Sequence, residues 1–333
     1  MKSPITGKEM VLKTDLIEHD FRKEKFEIVY HYYWCEESKE KFEDERLTQL
    51  NLNQVYNQYR KKHKLPFPEE IIALRDQYDL SASKMSEVLG FGINVYRNYE
   101  NGEIPNSSNA RLIQLAQDPK EFKRLVELSD VLTPKETERV MSRIDELLLK
   151  DEFINFDIQN YLMGERTADD HTGYRVPNLA KFTEMVVFYT YETEPWKTKL
   201  NKLLFYGDFC HFRKTGMSIS GCRYRAIDMG PVPNNFNSIF DYIAKRDDVD
   251  IYSTEFSNGS IGEQFKPHPK RGFNDTIFEE DELNTLHEVV SKFGKTNTKE
   301  IIEISHEEEA WQKNFHDGKK LISYIEAFKL KKM

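Results

Sequence analysis

The sequence predicts a mainly α chain with small β parts, an α+β class, and three observations carry that expectation. Glu27-Ile28-Val29-Tyr30-His31-Tyr32-Tyr33-Trp34 is aromatic and β-branched, which reads as a strand inside a run of short strands over residues 1–45. Helix starts and apolar faces at helical spacing recur from residue 46 to about 150. Leu200, Leu203, Leu204, Gly207 and Cys210, with His211, then line one face at helical spacing in a mostly helical second half.

The 333 residues suffice for two or three domains with cores. A composition 38% hydrophobic and 32% charged fits a soluble globular protein and is too apolar for a disordered one. No apolar run has the length of a membrane span, and the start Met1-Lys2-Ser3-Pro4-Ile5 lacks the apolar run of a signal peptide. Cys35, Cys210 and Cys222 lie far apart with no CxxC, which argues against disulfides and for a cytoplasmic protein. The net charge of −9 argues against bulk nucleic acid as the main partner. That charge is uneven: residues 1–66 carry 13 Lys and Arg against 12 Asp and Glu, residues 67–128 carry 7 against 10, and residues 129–333 carry 28 against 35. Arg60, Lys61, Lys62 and Lys64 form a basic cluster, read either as a nucleic-acid contact or as a solvated helix end.

Element by element, residues 46–63 read as a helix, and Pro66 and Pro68 punctuate the chain after it. Ile71, Ile72, Leu74 and Arg75 begin a further helix. Ser81 caps another, ending at Gly90, which is free to take positive φ. Gly92 is positioned to cap a third, Ile93 to Glu100. Met85, Val88 and Leu89 would pack against Val95, Tyr96 and Tyr99. Glu69 to Asp118 therefore has the pattern of a helix-turn-helix, a geometry that sends the N-terminal end of the third helix into a major groove. Leu89-Gly90, nine residues, then Glu100-Asn101-Gly102 resembles the Xre/Cro family of helix-turn-helix proteins. The resemblance implies that Ile93, Asn94, Arg97 and Asn98 face DNA; Asn can bond adenine bidentately and Arg can reach guanine or phosphate. Ile93 departs from the polar residue common at its position.

Thr133-Pro134-Lys135-Glu136 opens another helix with a capping box, and Val140, Ile144, Leu147 and Leu148 share one of its faces. It reads as a connector or dimerisation helix, followed by an irregular stretch over 151–177.

Residues 1–45 alone are too few for a good core. Ser3-Pro4-Ile5-Thr6 and Cys35-Glu36-Glu37-Ser38 have the spacing of two zinc knuckles with three of four cysteines replaced. The segment resembles a degenerate zinc-ribbon of MqsA-type (YgiT-type) antitoxins, which precedes an Xre domain in the same order. In that family the Asn at this site reads bases, which implies a reading role for Asn94; the family's second reading position, an Arg, falls on Asn98 here. One thiolate with hydroxyls cannot make a tight tetrahedral site, so no metal and no cofactor are expected. Aromatics would hold the ribbon instead: Tyr30, Tyr32, Tyr33 and Trp34 against Phe26 and Phe42.

In the second half, Lys202-Leu203-Leu204-Phe205-Tyr206, Ser218-Ile219-Ser220-Gly221, Gly230-Pro231-Val232-Pro233 and Ser305-His306-Glu307-Glu308, followed by Ala310-Trp311, resemble in order the Panacea, or SocA-like, antitoxin domain over about 180–315. Members of that family neutralise unrelated toxins, and one delivers its toxin to a protease. The resemblance implies no catalytic role. Asp208, His211, His306, Glu307 and Glu308 are candidate metal or acid–base groups, but position 310 is Ala, so HExxH is absent. The simpler expectation pairs Asp208 with a basic neighbour and has His306 bond within a turn. Arg223 and Arg225 alternate along a short strand and should face outward together, so with Asp228 they are the expected partner-binding residues. Trp311 is expected to be buried.

The expected domains are a degenerate zinc-ribbon module with its helix over 1–64, an Xre-type helix-turn-helix over 65–128, a connector helix over 129–152 and a Panacea-like domain over 153–333. The expected function is a cytoplasmic, non-enzymatic antitoxin. It would bind a cognate protein toxin and, as a homodimer, operator DNA, with no membrane partner. The alternative is a stand-alone or phage-derived transcription regulator, or a protease adaptor, whose C-terminal domain binds another protein.

Overall fold

Helices account for about half of the chain, with small sheets of two or three strands, which is the predicted class. The computed structural model describes residues 1–152, 158–257 and 259–333. Residues 153–157, which open the expected C-terminal domain and belong to the stretch read as irregular, lie outside the described residues. The described chain divides into two compact units, one of residues 18–28 with 54–158, the other of residues 1–17, 29–53 and 159–333.

Strands β1 (Val11–Phe21), β2 (Glu24–Cys35) and β3 (Glu40–Phe42) form a sheet in that order. Tyr33 lies opposite Phe42 and Cys35 opposite Glu40. The predicted aromatics hold it in part: Tyr30 and Tyr32 stack at 5.4 Å, and the Lys41 ammonium sits 4.1 Å from the Tyr32 ring. Ser3, Thr6 and Ser38 gather at Cys35, whose thiol lies 3.5 Å from Thr6 Oγ1. Hydrogen bonds from Ser38, Thr6 and Ser3 lower the Cys35 pKa to about 6. One thiolate among three hydroxyls does not fit the donor set of a structural zinc.

Helix α1 (Glu45–His63) follows, then α2 (Pro68–Gln77), α3 (Ala82–Val88), α4 (Val95–Glu100), α5 (Ser107–Leu115), α6 (Pro119–Leu128) and α7 (Pro134–Glu152). Local chemistry sets most of these starts. Ser81, Asn106 and Asp118 each accept a backbone N–H from the helix they cap. Thr133 and Glu136 bond reciprocally at the start of α7. Ile71, Tyr78, Met85, Tyr96 and Phe122 make the core of the first unit. Tyr78 stacks on Phe122 at 3.8 Å and donates to Ala116 O, while Tyr96 donates to Ile71 O. Helix α7, read as a connector, buries Val140 and Ile144 in the same core.

In the second unit come α8 (Ile158–Met163), α9 (Leu179–Thr193), α10 (Lys197–Thr215), β4 (Tyr224–Ile227), β5 (Gly230–Pro233), α11 (Phe236–Lys245), β6 (Val249–Glu255), β7 (Ile261–Pro267), α12 (Glu280–Phe293), α13 (Thr298–His306), α14 (Glu309–His316) and β8 (Leu321–Ile322). Strand β4 lies between β5 and β8, and β6 pairs with β7. The one-sided apolar face read for α10 understates its burial: every residue from Lys199 to Phe212 is buried. α9, α12, α13 and β5 all pack against it, so it is the central element of the domain. Residues 29–53 belong to this unit through direct contacts. Asn53 Nδ2 donates to Thr215 O at 2.9 Å, and the His31 and Phe328 rings are 5.2 Å apart.

Candidate functional site

Two regions hold the residues singled out by the sequence, one in each unit. In the first, the α3–α4 turn is built by Ser86 and two glycines. Gly90 takes φ +71° and ends α3, and Gly102 takes φ +98° after α4. The Ser86 hydroxyl donates to Gly92 O and accepts Tyr96 N–H, so it performs the capping expected of Gly92. Helix α4 consequently starts at Val95, two residues later than predicted, with Asn94 at its N-cap position. The Tyr99-Glu100-Asn101-Gly102 ending has a structural reason. Glu100 pairs with Arg75 of α2 at 2.6 Å, and Tyr99 OH accepts from Asn109 of α5 at 2.8 Å.

Around this frame Ile93, Asn94, Arg97 and Asn98 are all exposed, Ile93 at 64%. Arg60, from the basic cluster, is buried and donates to Gly102 O. Burial lowers its pKa to about 10. Lys62 and His63 both reach Glu24 at 2.6 Å. Much of the cluster thus braces the protein, which neither sequence reading anticipated.

In the second unit, Asp208 is fully buried and, among the described residues, has no basic partner, contrary to expectation. Its carboxylate accepts Ile219 N–H (2.8 Å), Ser220 N–H (2.8 Å), Ser220 Oγ–H (2.6 Å) and Tyr224 O–H (2.8 Å). Burial raises its pKa, and those four donors pull against that rise. His211 bonds Met217 O through Nδ1 at 2.8 Å, and burial lowers its pKa to about 4. The two side chains separately hold the 217–220 turn. Among the described residues, Asp208, His211, His306, Glu307 and Glu308 form no ligand-like grouping.

Lys202, given no role of its own in the first sequence block, is fully buried on α10, and its Nζ donates to Pro231 O at 2.9 Å. Burial lowers its pKa to about 7. The signal for it was a lysine inside the apolar run of residues 200–206. Gly230 has φ +93°, and a Cβ there would lie 2.5 Å from Ser305 Oγ and 2.6 Å from Lys202 Cε, so no side chain fits. Glu308 is buried and accepts Lys331 N–H at 2.8 Å and Lys332 N–H at 3.2 Å. Trp311 is buried as expected; it stacks between His306 (4.0 Å) and Phe315 (4.5 Å) and donates from Nε1 to Ile227 O.

The expectation that Arg223 and Arg225 face outward together holds for Arg225 alone. Arg223 precedes β4, and its side chain is 12% exposed. It donates to the carbonyls of Met163 and Glu165 and to Thr167 Oγ1, and pairs with Asp169 at 3.3 Å. A loop supplied by residues 163–169, distant in sequence, captures it. Arg225 is exposed, bonding Asn234 Oδ1 and Lys319 O, and Asp228 pairs with Lys319 at 2.6 Å. Met229, at the tip of the β4–β5 turn, is 48% exposed.

Residues 200–312 match the family model described as "Antitoxin SocA-like, Panacea domain". That range runs from α10 to α14 and contains all four sequence blocks. No curated protein matches the chain.

Proposed function

We propose that this protein is an antitoxin of a toxin–antitoxin pair. The antitoxin-family match over residues 200–312 carries the reading. The C-terminal domain binds and masks a protein toxin, and the protein has no catalytic task. The contact surface is the β4–β5 turn, with Arg225 and Asp228 as direct contacts beside the exposed Met229. Arg223 acts through the 163–169 loop that it shapes. Exposed Arg and large apolar side chains side by side suit an interface hot spot. The test is co-expression of the full chain with the product of the adjacent reading frame, followed by capture and growth rescue. Arg225→Glu combined with Asp228→Lys is expected to weaken capture by about 2 kcal/mol or more while leaving the melting temperature in place. Neutralisation by that variant at wild-type level removes this surface. Failure of the unaltered chain to capture or rescue removes the antitoxin reading.

The first unit is the operator-binding part, acting as a homodimer in the cytoplasm and repressing its own operon. The support is the exposed polar set Asn94, Arg97 and Asn98 at the start of a helix held by a glycine turn. Among the described residues, no helix is long and apolar enough to cross a membrane. Asn94→Ala is expected to cost roughly 1–3 kcal/mol of operator affinity if Asn94 bonds a base bidentately. Indistinguishable binding of the two proteins to a selected duplex refutes that assignment.

A further inference from the structure

Strand β1 leaves one edge of its sheet open. The order β1-β2-β3 gives it a neighbour on one side only, and beyond β2 no hydrogen bond reaches the backbone of residues 11–17 among the described residues. The strand is 11 residues long and no proline interrupts it. Val11, Leu12 and Leu16 are 56%, 52% and 66% exposed along it. A long edge with exposed apolar side chains is a template for pairing with another strand.

The hairpin fixes which backbone groups face outward. Arg22 and Lys23 form a two-residue loop with φ 48° and 67°, so Phe21 and Glu24 are a hydrogen-bonded pair. Counting back in twos, the odd-numbered residues of β1 turn their N–H and C=O groups to β2. Leu12, Thr14 and Leu16 turn theirs to solvent.

Residues 11–17 match themselves when run antiparallel about Thr14. Thr14 then faces Thr14 of a second copy, Leu12 faces Leu16, Lys13 faces Asp15 and Val11 faces Ile17. Outward backbone groups meet outward backbone groups, giving about six hydrogen bonds between the strands. Apolar meets apolar and cation meets anion at every place. Moving the centre by one residue destroys the match. About Asp15, that residue opposes its own copy and Leu12 opposes Glu18; about Lys13, that residue opposes its own copy and Val11 opposes Asp15. Like charges directly opposite destabilise a strand pair. A centre between two residues sets outward groups against groups already bonded to β2.

We propose that a second copy of this chain docks on β1, the two edges joining antiparallel about Thr14 into one continuous sheet. This supplies the interface of the homodimer proposed above and rests on that reading. A two-fold contact uses the same patch on both copies, which is what a self-complementary strand provides. Helix α7 does not compete for the role, because Val140 and Ile144 of its apolar face are spent on the core of the first unit. Lys13 and Asp15 pair with Glu36 and Lys41 on their own chain at 3.0 and 2.6 Å. Exposed pairs of that kind are weak and change partners at little cost.

Sedimentation equilibrium of the full chain tests this, with a dimer expected. Thr14→Pro removes an outward N–H that the β1–β2 pair does not use, so the circular dichroism spectrum should persist while dimer affinity falls by about tenfold or more. Leu16→Lys changes a side chain that is already exposed, leaves the backbone alone, and should also weaken the dimer. Lys13→Glu sets a carboxylate against Asp15 of the second copy and should weaken it about three- to tenfold. Adding Asp15→Lys restores opposite charges between copies but breaks both pairs within the chain. Recovery to within about twofold of the original affinity therefore reads the contact between copies alone. If the chain is a dimer whose affinity none of these variants changes, the edge contact is wrong and the homodimer reading stands. If the double variant is no tighter than Lys13→Glu, the pairing about Thr14 is wrong. If the original chain is a monomer at every concentration reached, both readings fall together.

Discussion

Asp208→Ala is expected to lower the stability of the C-terminal domain by about 4 kcal/mol. The carboxylate is fully buried on α10 and is the shared acceptor for two backbone N–H groups and two hydroxyls. Removing it strands four donors where water does not reach, and each buried unsatisfied group costs about 1–3 kcal/mol before relaxation. Those donors close the Ser218–Gly221 turn and anchor Tyr224, the first residue of β4. The damage should therefore spread to the β4–β5 surface. Asp208→Asn keeps one oxygen acceptor but gains an NH2 group facing donors, so an intermediate loss is expected. Urea unfolding of the full chain, followed by a probe in the second unit, measures both. A loss below about 1 kcal/mol for Asp208→Ala would show that the turn closes without its carboxylate.

Lys202→Met should have the opposite sign. Burial lowers the Lys202 pKa from 10.5 to about 7. Between those values the unfolded chain binds a proton that the folded chain does not, so stability rises with pH across that window. Below about pH 7 the penalty is complete and no longer changes. At about 1.4 kcal/mol per pH unit, roughly 5 kcal/mol is at stake, an upper bound before the protein relaxes. Methionine removes the titration but leaves Pro231 O without its donor, which returns about 1–2 kcal/mol. The net expectation is a gain of about 2 kcal/mol at pH 7 and no gain, or a small loss, near pH 10. Unfolding curves at both pH values check it. A variant destabilised equally at both would mean that Lys202 acts through its hydrogen bond and not through its charge. His211 works in the same direction further down the scale. Its pKa is lowered to about 4, so its buried neutral form makes stability fall with acid between its ordinary value and that point.

Residues 29–53 pack against the C-terminal domain. Asn53 bonds Thr215 O, and the ring of His31 lies beside Phe328. A fragment beginning near residue 153 would expose these partners, so the full chain is the proper material for partner binding.

What could be read along the chain was chemistry that acts within a few residues. Ser81 accepts the Lys84 N–H, Gly90 turns with positive φ, and Thr133 and Glu136 bond reciprocally. Each needs only its neighbours, so the sequence alone determined the helices around them. It also determined the class of the fold and the four blocks of the domain matched over residues 200–312. Tertiary structure decided what the charged groups do. Arg223 reads as outward from strand alternation, yet residues 163–169 supply carbonyls and Asp169 to hold it. Arg60 belongs to a basic run, yet Gly102, more than forty residues on, turns it into a brace. Asp208 was expected beside a cation, and its partners are the donors of a turn eleven or more residues later. α10 reads as one-sided because its lysines, Asn201 and Asp208 count as polar, yet it is enclosed on every side. The reason is common to all four. Periodicity and capping are local, whereas the partner that makes burying a charge tolerable comes from wherever the chain returns, and spacing along the sequence carries no record of that return.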